Sequence, residues 1–114
     1  MIECSVGDVV SVEFPYSDLQ GHKRRPGLVL AVDSLDILLA RLTTRPARDS
    51  LDIALTRWTQ LGLPKPSTVR LTKLAAIDRR LVHHKIGRLH PEDSVAVARA
   101  WLRWTTGVGA ALQA

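Results

Sequence analysis

The sequence is poor in cysteine and in aromatic residues, and it has no long apolar run. The single cysteine, Cys4, excludes an intrachain disulfide and any zinc site built on cysteine pairs. Five aromatic residues, Phe14, Tyr16, Trp58, Trp101 and Trp104, are too few for a base-stacking sheet of the RRM type. No stretch approaches the roughly 18 uncharged apolar residues of a membrane span. The acidic N-terminus lacks the basic and apolar regions of a secretory signal, so a soluble, cytoplasmic protein is expected. P-loop, G-x-G-x-x-G, G-x-S-x-G and H-E-x-x-H motifs are all missing. The four histidines, His22, His83, His84 and His90, show no metal-ligand spacing. Neighbours on a strand, such as His83 and His84, point to opposite faces. No metal and no cofactor are expected.

What is present fits one globular domain spanning residues 1–114, with 46% hydrophobic residues and a formal net charge of +5. The charge is uneven. Residues 1–20 carry four acids and no Lys or Arg, residues 21–50 sum to +3, residues 51–90 to +6, and residues 91–114 to zero. A basic middle beside an acidic start suggests one cationic surface and an anionic partner; an evenly solvated basic protein is the plain alternative.

Period-2 alternation marks a strand at 8–14, stopped by Pro15, with Val10, Val12 and Phe14 on its apolar face. Residues 15–26 read as a loop. Residues 27–32 form a short apolar run suited to a buried strand, and a tight connection at 33–36 returns the chain antiparallel over 37–42. A polar loop follows at 43–50, and short strands are expected at 51–55, 67–71, 73–77 and 82–89, with one helical turn at 78–81. Gly62, Pro64 and Pro66 exclude a long element in 57–66. The period then changes to helical over 91–105, with Pro91 at the first position and Glu92 and Asp93 at the positive end of the dipole. Gly107 and Gly109 are expected to end it, leaving 107–114 as a flexible tail. The fold class is mainly β with a C-terminal α-helix: a small SH3-like barrel of five to seven short, mostly antiparallel strands.

Two basic segments stand at strand ends. Lys23, Arg24 and Arg25 are consecutive and, in a loop, can converge on one anion; the arginine fork suits phosphate. Thr43, Thr44 and Arg45 follow the strand at 37–42, and if that strand pairs with 27–32, Arg25 and Thr43 can face one phosphate. A solvated loop and an ordinary strand end are the plain alternatives. His22 adjoins the basic cluster, and an unperturbed histidine, with a pKa of about 6.5, suits acid–base work. His84 shares a face with Val82 and Ile86 and is expected to be partly buried. Trp101 and Trp104 read as core or subunit contacts, and Trp58 as an exposed residue.

Taken together, several segments resemble the MazF/PemK family of toxin–antitoxin ribonucleases. They are GDVVSVEFPYSDLQGHKRRPGLVLA at 7–31, with Arg-Pro running into an apolar strand, and Leu-Thr-Thr at 42–44. LGLPKPSTVRLTKLAAIDRRLVHHKIGRL at 61–89 and the helix opening on His-Pro-Glu-Asp complete the set. The resemblance implies an SH3-like barrel, a homodimer, and a sequence-selective, metal-independent endoribonuclease acting on single-stranded RNA. It also implies a cognate antitoxin with an acidic, partly disordered segment. Family roles fall on Arg25 and Thr43 as catalytic residues. His22 is a further candidate for acid–base work, and Lys23, Arg24, Thr44, Arg45 and Arg70 are candidates for RNA binding. The loop lacks the Gly-Ser-Glu-Gln stretch often found in the family, and Asp18 and Gln20 are its nearest polar substitutes. Two other readings share this fold: a gyrase-binding toxin of the CcdB type acting through 101–114, and a non-catalytic nucleic-acid-binding domain.

Overall fold

Val9, Val10 and Val12 are all fully buried, so the first strand is covered on both faces and not on one. The computed structural model describes residues 2–13 and 24–114. Among them run β1 (Asp8–Glu13), β2 (Arg24–Val32), β3 (Asp36–Thr43), β4 (Asp52–Ala54), α1 (Trp58–Leu61) and β5 (Thr68–Asp78). A 3-10 turn (Arg79–Leu81), β6 (Val82–Arg88) and α2 (Pro91–Leu112) follow. The six strands form one antiparallel sheet in the order β4-β5-β3-β2-β1-β6. The expected mainly-β class with a C-terminal helix holds. The sheet is open, with β4 and β6 at its edges, and is not hydrogen-bonded into a closed barrel.

Each face of the sheet builds its own core. One face carries Val9, Leu28, Ala40, Leu42, Val69 and Leu71, which pack with Val97 and Ala100 of α2. Trp58, Trp101 and Trp104 are half-buried against this cluster, so Trp58 is not the exposed residue expected of it. The other face carries Val10, Val12, Val29, Leu39, Ala75 and Ile77, with Cys4 laid over it. The β2–β3 hairpin is tied by Asp33, whose carboxylate accepts the Leu35 and Asp36 amides at 2.8 and 2.7 Å.

Several elements differ from the sequence expectation. β2 begins at Arg24, so the end of the expected loop is already strand. The two strands expected at 67–71 and 73–77 are one strand, β5, with a register shift against β3 between Ala40 and Arg41: Ala40 pairs with Leu74, but Arg41 pairs with Arg70. The break read at Thr72 is this bulge, which interrupts pairing without ending the strand. α2 continues through Gly107 and Gly109 to Leu112, so the expected tail is helical. Neither glycine has positive φ, and nothing lies within 4 Å of where a Cβ would sit. Glycine therefore weakens this helix end without breaking it. His84 is exposed and not partly buried, because β6 is an edge strand there.

Helix α2 is pinned at its start. The His90 Nδ1 accepts the Glu92 amide at 3.1 Å as an N-cap, and Pro91 fills the first position. Buried Asp93 accepts the Thr56 amide at 2.9 Å, the Thr56 hydroxyl at 2.9 Å and the Arg57 amide at 3.0 Å. The segment between β4 and α1 is thus stapled to the helix N-terminus.

Candidate functional site

The face that carries Val10, Val12, Val29 and Leu39 changes character toward one end of the sheet. Directly paired residues share a face. Val12 pairs with Arg25, Val10 with Gly27, and Gly27 with Arg41. Arg41 pairs in turn with Arg70, and Arg70 with Asp52. Thr43 pairs with Thr68. The apolar layer therefore runs on into a patch of arginines and hydroxyls on the same face.

The β2–β3 ladder ends at Gly27 and Arg41, and continuing its register brings Arg25 level with Thr43. Pro26 contributes here in two ways: it offers no N–H, and it confines Arg25 to extended backbone. Where the ladder stops, a cavity of about 270 Å³ opens, lined by Arg25, Pro26, Arg41, Thr43, Thr44, Arg45 and Ser67, with Leu42. Among the described residues, no acidic side chain lines it. The Thr43 Oγ1 accepts the Arg45 amide at 3.2 Å. That contact uses an acceptor lone pair and leaves the hydroxyl hydrogen free to donate. Ser67, which is buried, donates its hydroxyl to the Lys65 carbonyl at 2.9 Å.

Arg45 also lines a second cavity of about 510 Å³, with Pro46, Ala47, Arg48 and Arg70. Buried Asp52 stands behind it. Its Oδ2 accepts the Arg48 amide at 2.9 Å and the Arg48 Nε at 3.2 Å, and lies 3.7 Å from the Arg70 Nε. The last contact is an ion pair too long to be a hydrogen bond. The two cavities make one cationic stretch across the ends of β2, β3 and β5.

The structure thus gathers Arg25, Thr43, Thr44 and Arg45 around one cavity and places Arg70 in its neighbour. Arg24 does not converge with Arg25 on one anion, as a loop would have allowed. Strand alternation sends the two to opposite faces, and the Arg24 Nη1 lies 3.0 Å from the His83 Nε2. His22, Lys23, Asp18 and Gln20 lie outside the described residues. Sequence reasoning missed Arg41 and Ser67 as lining residues. The signal for Arg41 was available, since on a strand it stands two positions before Thr43 and shares its face. Cys4 does not line the cavity, and burial, then Asp8, push its thiol pKa upward, the direction that disfavours the reactive thiolate. Among the described residues, no three His, Cys, Asp or Glu side chains gather as metal ligands. No helix among them is long and apolar enough to cross a membrane.

An antiparallel six-stranded sheet, backed by a C-terminal helix and bearing a cavity lined by arginines and threonines, defines a small basic β-protein suited to an anionic ligand. Over residues 5–104 the sequence matches the PemK-like, MazF-like toxins of type II toxin–antitoxin systems, and the chain belongs to that family. No curated protein matches it in sequence. Solved structures share the fold at low identity. The Mycobacterium tuberculosis toxin MazF-mt6 superposes with a TM-score of 0.68 at 20% identity, over 82% of this chain and 90% of that one. An endoribonuclease in complex with its cognate antitoxin, from a mycobacterial species, gives 0.66 at 16% identity, over 82% and 86%. A second mycobacterial endoribonuclease gives 0.66 at 17% identity, over 88% of each chain.

Proposed function

We propose that the protein is the toxin of a toxin–antitoxin pair and acts as a sequence-selective, metal-independent endoribonuclease on single-stranded RNA in the cytoplasm. The observation that carries this reading is the meeting of Arg25 and Thr43 on one open cavity with no acidic side chain among its described lining residues, in a chain of this family. Similar structures described as endoribonucleases, one with its cognate antitoxin, support it.

The chemistry is internal transesterification. The ribose 2′-hydroxyl gives its proton to a base, for which His22 is the candidate, and attacks the adjacent phosphorus; the bond to the 5′-oxygen breaks, that oxygen takes a proton and leaves as a hydroxyl, and a 2′,3′-cyclic phosphate forms. Negative charge grows on the non-bridging oxygens in the transition state, and fixed donors aimed there stabilise it. Arg25 serves as an electrostatic clamp, because a guanidinium offers a fork of N–H donors and no acceptor with which to take a proton. Thr43 donates its free hydroxyl hydrogen to the same group. Thr44, Arg45 and Arg70 bind neighbouring backbone phosphates. The active species is a homodimer, for which light scattering should return twice the 12.6 kDa chain mass. The cognate antitoxin lays an acidic, partly disordered segment over the same cationic stretch and competes with RNA for it.

The test is incubation with long single-stranded RNA in a metal chelator. Discrete fragments ending in cyclic phosphate are expected. Arg25→Ala and Thr43→Ala should each slow cleavage by about 100- to 1,000-fold while keeping the wild-type melting profile. Unchanged turnover in folded Arg25→Ala protein overturns the assignment. Intact RNA together with inhibited gyrase supercoiling would point to the CcdB-type reading, and intact RNA with a salt-sensitive mobility shift to simple binding.

A further inference from the structure

Arg41 carries a charge in the site that no described acid answers. Its Nε is buried and has no hydrogen-bond partner. It pairs across the β3–β5 ladder with Arg70, and like charges directly opposite repel. Arg70 is answered by Asp52 on its far side, 3.7 Å away. Arg41 has Gly27, which carries no side chain, on its other side. Among the described residues, no carboxylate forms an ion pair with Arg41, and none lines the cavity that Arg41 shares with Arg25 and Thr43. The β3–β5 bulge begins at Arg41, which fixes its position against Arg70.

A partly buried guanidinium without a partner carries a desolvation cost that a bound anion would remove. A fold selected only for stability would place an acid or an apolar residue there. We propose that Arg41 is a second phosphate-binding guanidinium of this cavity, taking a backbone phosphate of single-stranded nucleic acid beside the one that Arg25 holds. The inference rests on the ribonuclease reading for the identity of the anion.

Two probes test it without depending on cleavage. The first is a mixed-sequence 2′-deoxy single strand, which lacks the internal nucleophile. Arg41→Gln should bind it at least about ten-fold more weakly than wild type. The plot of log K against log salt should flatten by about 0.7, the share of one phosphate contact on a single strand. Arg41→Lys should recover part of the affinity, since it restores the charge without the planar fork. The second probe is inorganic phosphate against chloride at matched ionic strength. Phosphate should raise the wild-type Tm and leave that of Arg41→Gln unmoved. The melting temperature of Arg41→Gln in chloride should equal or exceed that of wild type, because a repulsive pair has been removed.

Folded Arg41→Gln protein with wild-type affinity, salt slope and phosphate response overturns the inference. So does a wild-type protein that binds neither probe. If the strand binds through Arg41 but RNA is never cut, the ribonuclease reading fails and this inference stands. If RNA is cut while Arg41→Gln binds as wild type does, the reverse holds.

Discussion

Asp52 shows how a single acid can organise a basic site. Its side chain is fully buried, and its Oδ2 serves the Arg48 amide, the Arg48 guanidinium and the Arg70 guanidinium together. The Arg70 side chain is itself only 12% exposed, whereas that of Arg48 is 51% exposed. Removal of the acid would therefore strand Arg70 in a poorly solvated place, while Arg48 could turn to water. Asp52→Ala should destabilise the protein by about 3 kcal/mol, the lower end for breaking a buried pair, because one partner is so open. Asp52→Asn keeps an oxygen for the Arg48 amide and should cost less. Urea unfolding of the two variants checks the order; equal losses would show that the backbone contact contributes nothing. At this scale the sequence was partly legible. Arg25 and Thr43 could be paired because each ends a strand run, and Arg70 could be flagged by its charge. The role of Asp52 could not be read, since it depends on β4 meeting β5 in one register out of several.

Helix α2 shows where reading by element succeeds and where it misleads. Its start was legible in Pro91, Glu92 and Asp93, and its packing face in the spacing of Val97, Trp101 and Trp104. Its end was not. Gly107 and Gly109 read as a stop, yet both are helical and face open space. Glycine at a helix end is a matter of about 1 kcal/mol per residue relative to alanine, and flanking residues can outweigh it. The consequence is testable. Gly107→Ala and Gly109→Ala meet nothing and require no change of backbone, so each should stabilise by up to about 1 kcal/mol, partly by restricting the unfolded chain. Circular dichroism should show more helix in the double variant and a higher Tm; a loss of either would mean that the last turns are not helical. The sheet departs from its sequence pattern for a related reason. A bulge at Thr72 and a true break look alike in sequence, because both interrupt alternation. The alternation in β1 predicts one apolar face, but its neighbours bury it on both, a fact of strand order and not of local pattern.

The whole molecule is basic, yet Asp8, Asp33, Asp78 and Glu92 are held in the charged form, which sets its response to pH. Burial works against ionised Asp8, but the Ser5 amide and the Lys85 and Arg88 side chains outweigh it and keep the carboxyl below its ordinary value. Asp33 is lowered by the Asp36 and Leu35 amides, Glu92 by Arg57, and Asp78 by Arg80, to about 2. Each of these groups binds protons more weakly in the folded chain than in the unfolded one. Between the two values the unfolded chain carries more protons, so stability rises with pH there. The contribution is therefore complete above the ordinary carboxylate range and is lost as pH falls through the folded value, which for Asp78 means between 3.8 and about 2. Protonation of the acids also raises a net charge that is already +5, and self-repulsion adds in the same direction. Tm should be flat from about pH 7 to 5 and fall steadily below about 4. Salt should soften the part due to Asp78 and Glu92, which are held by exposed arginines, and leave most of the parts due to Asp33, held by backbone amides, and Asp8, whose side chain is 3% exposed. Asp8→Asn should accordingly melt lower than wild type at pH 7 and converge with it near pH 2. A gap between the two that stayed constant across this range would show that the Asp8 charge is not what ties β6 to β1.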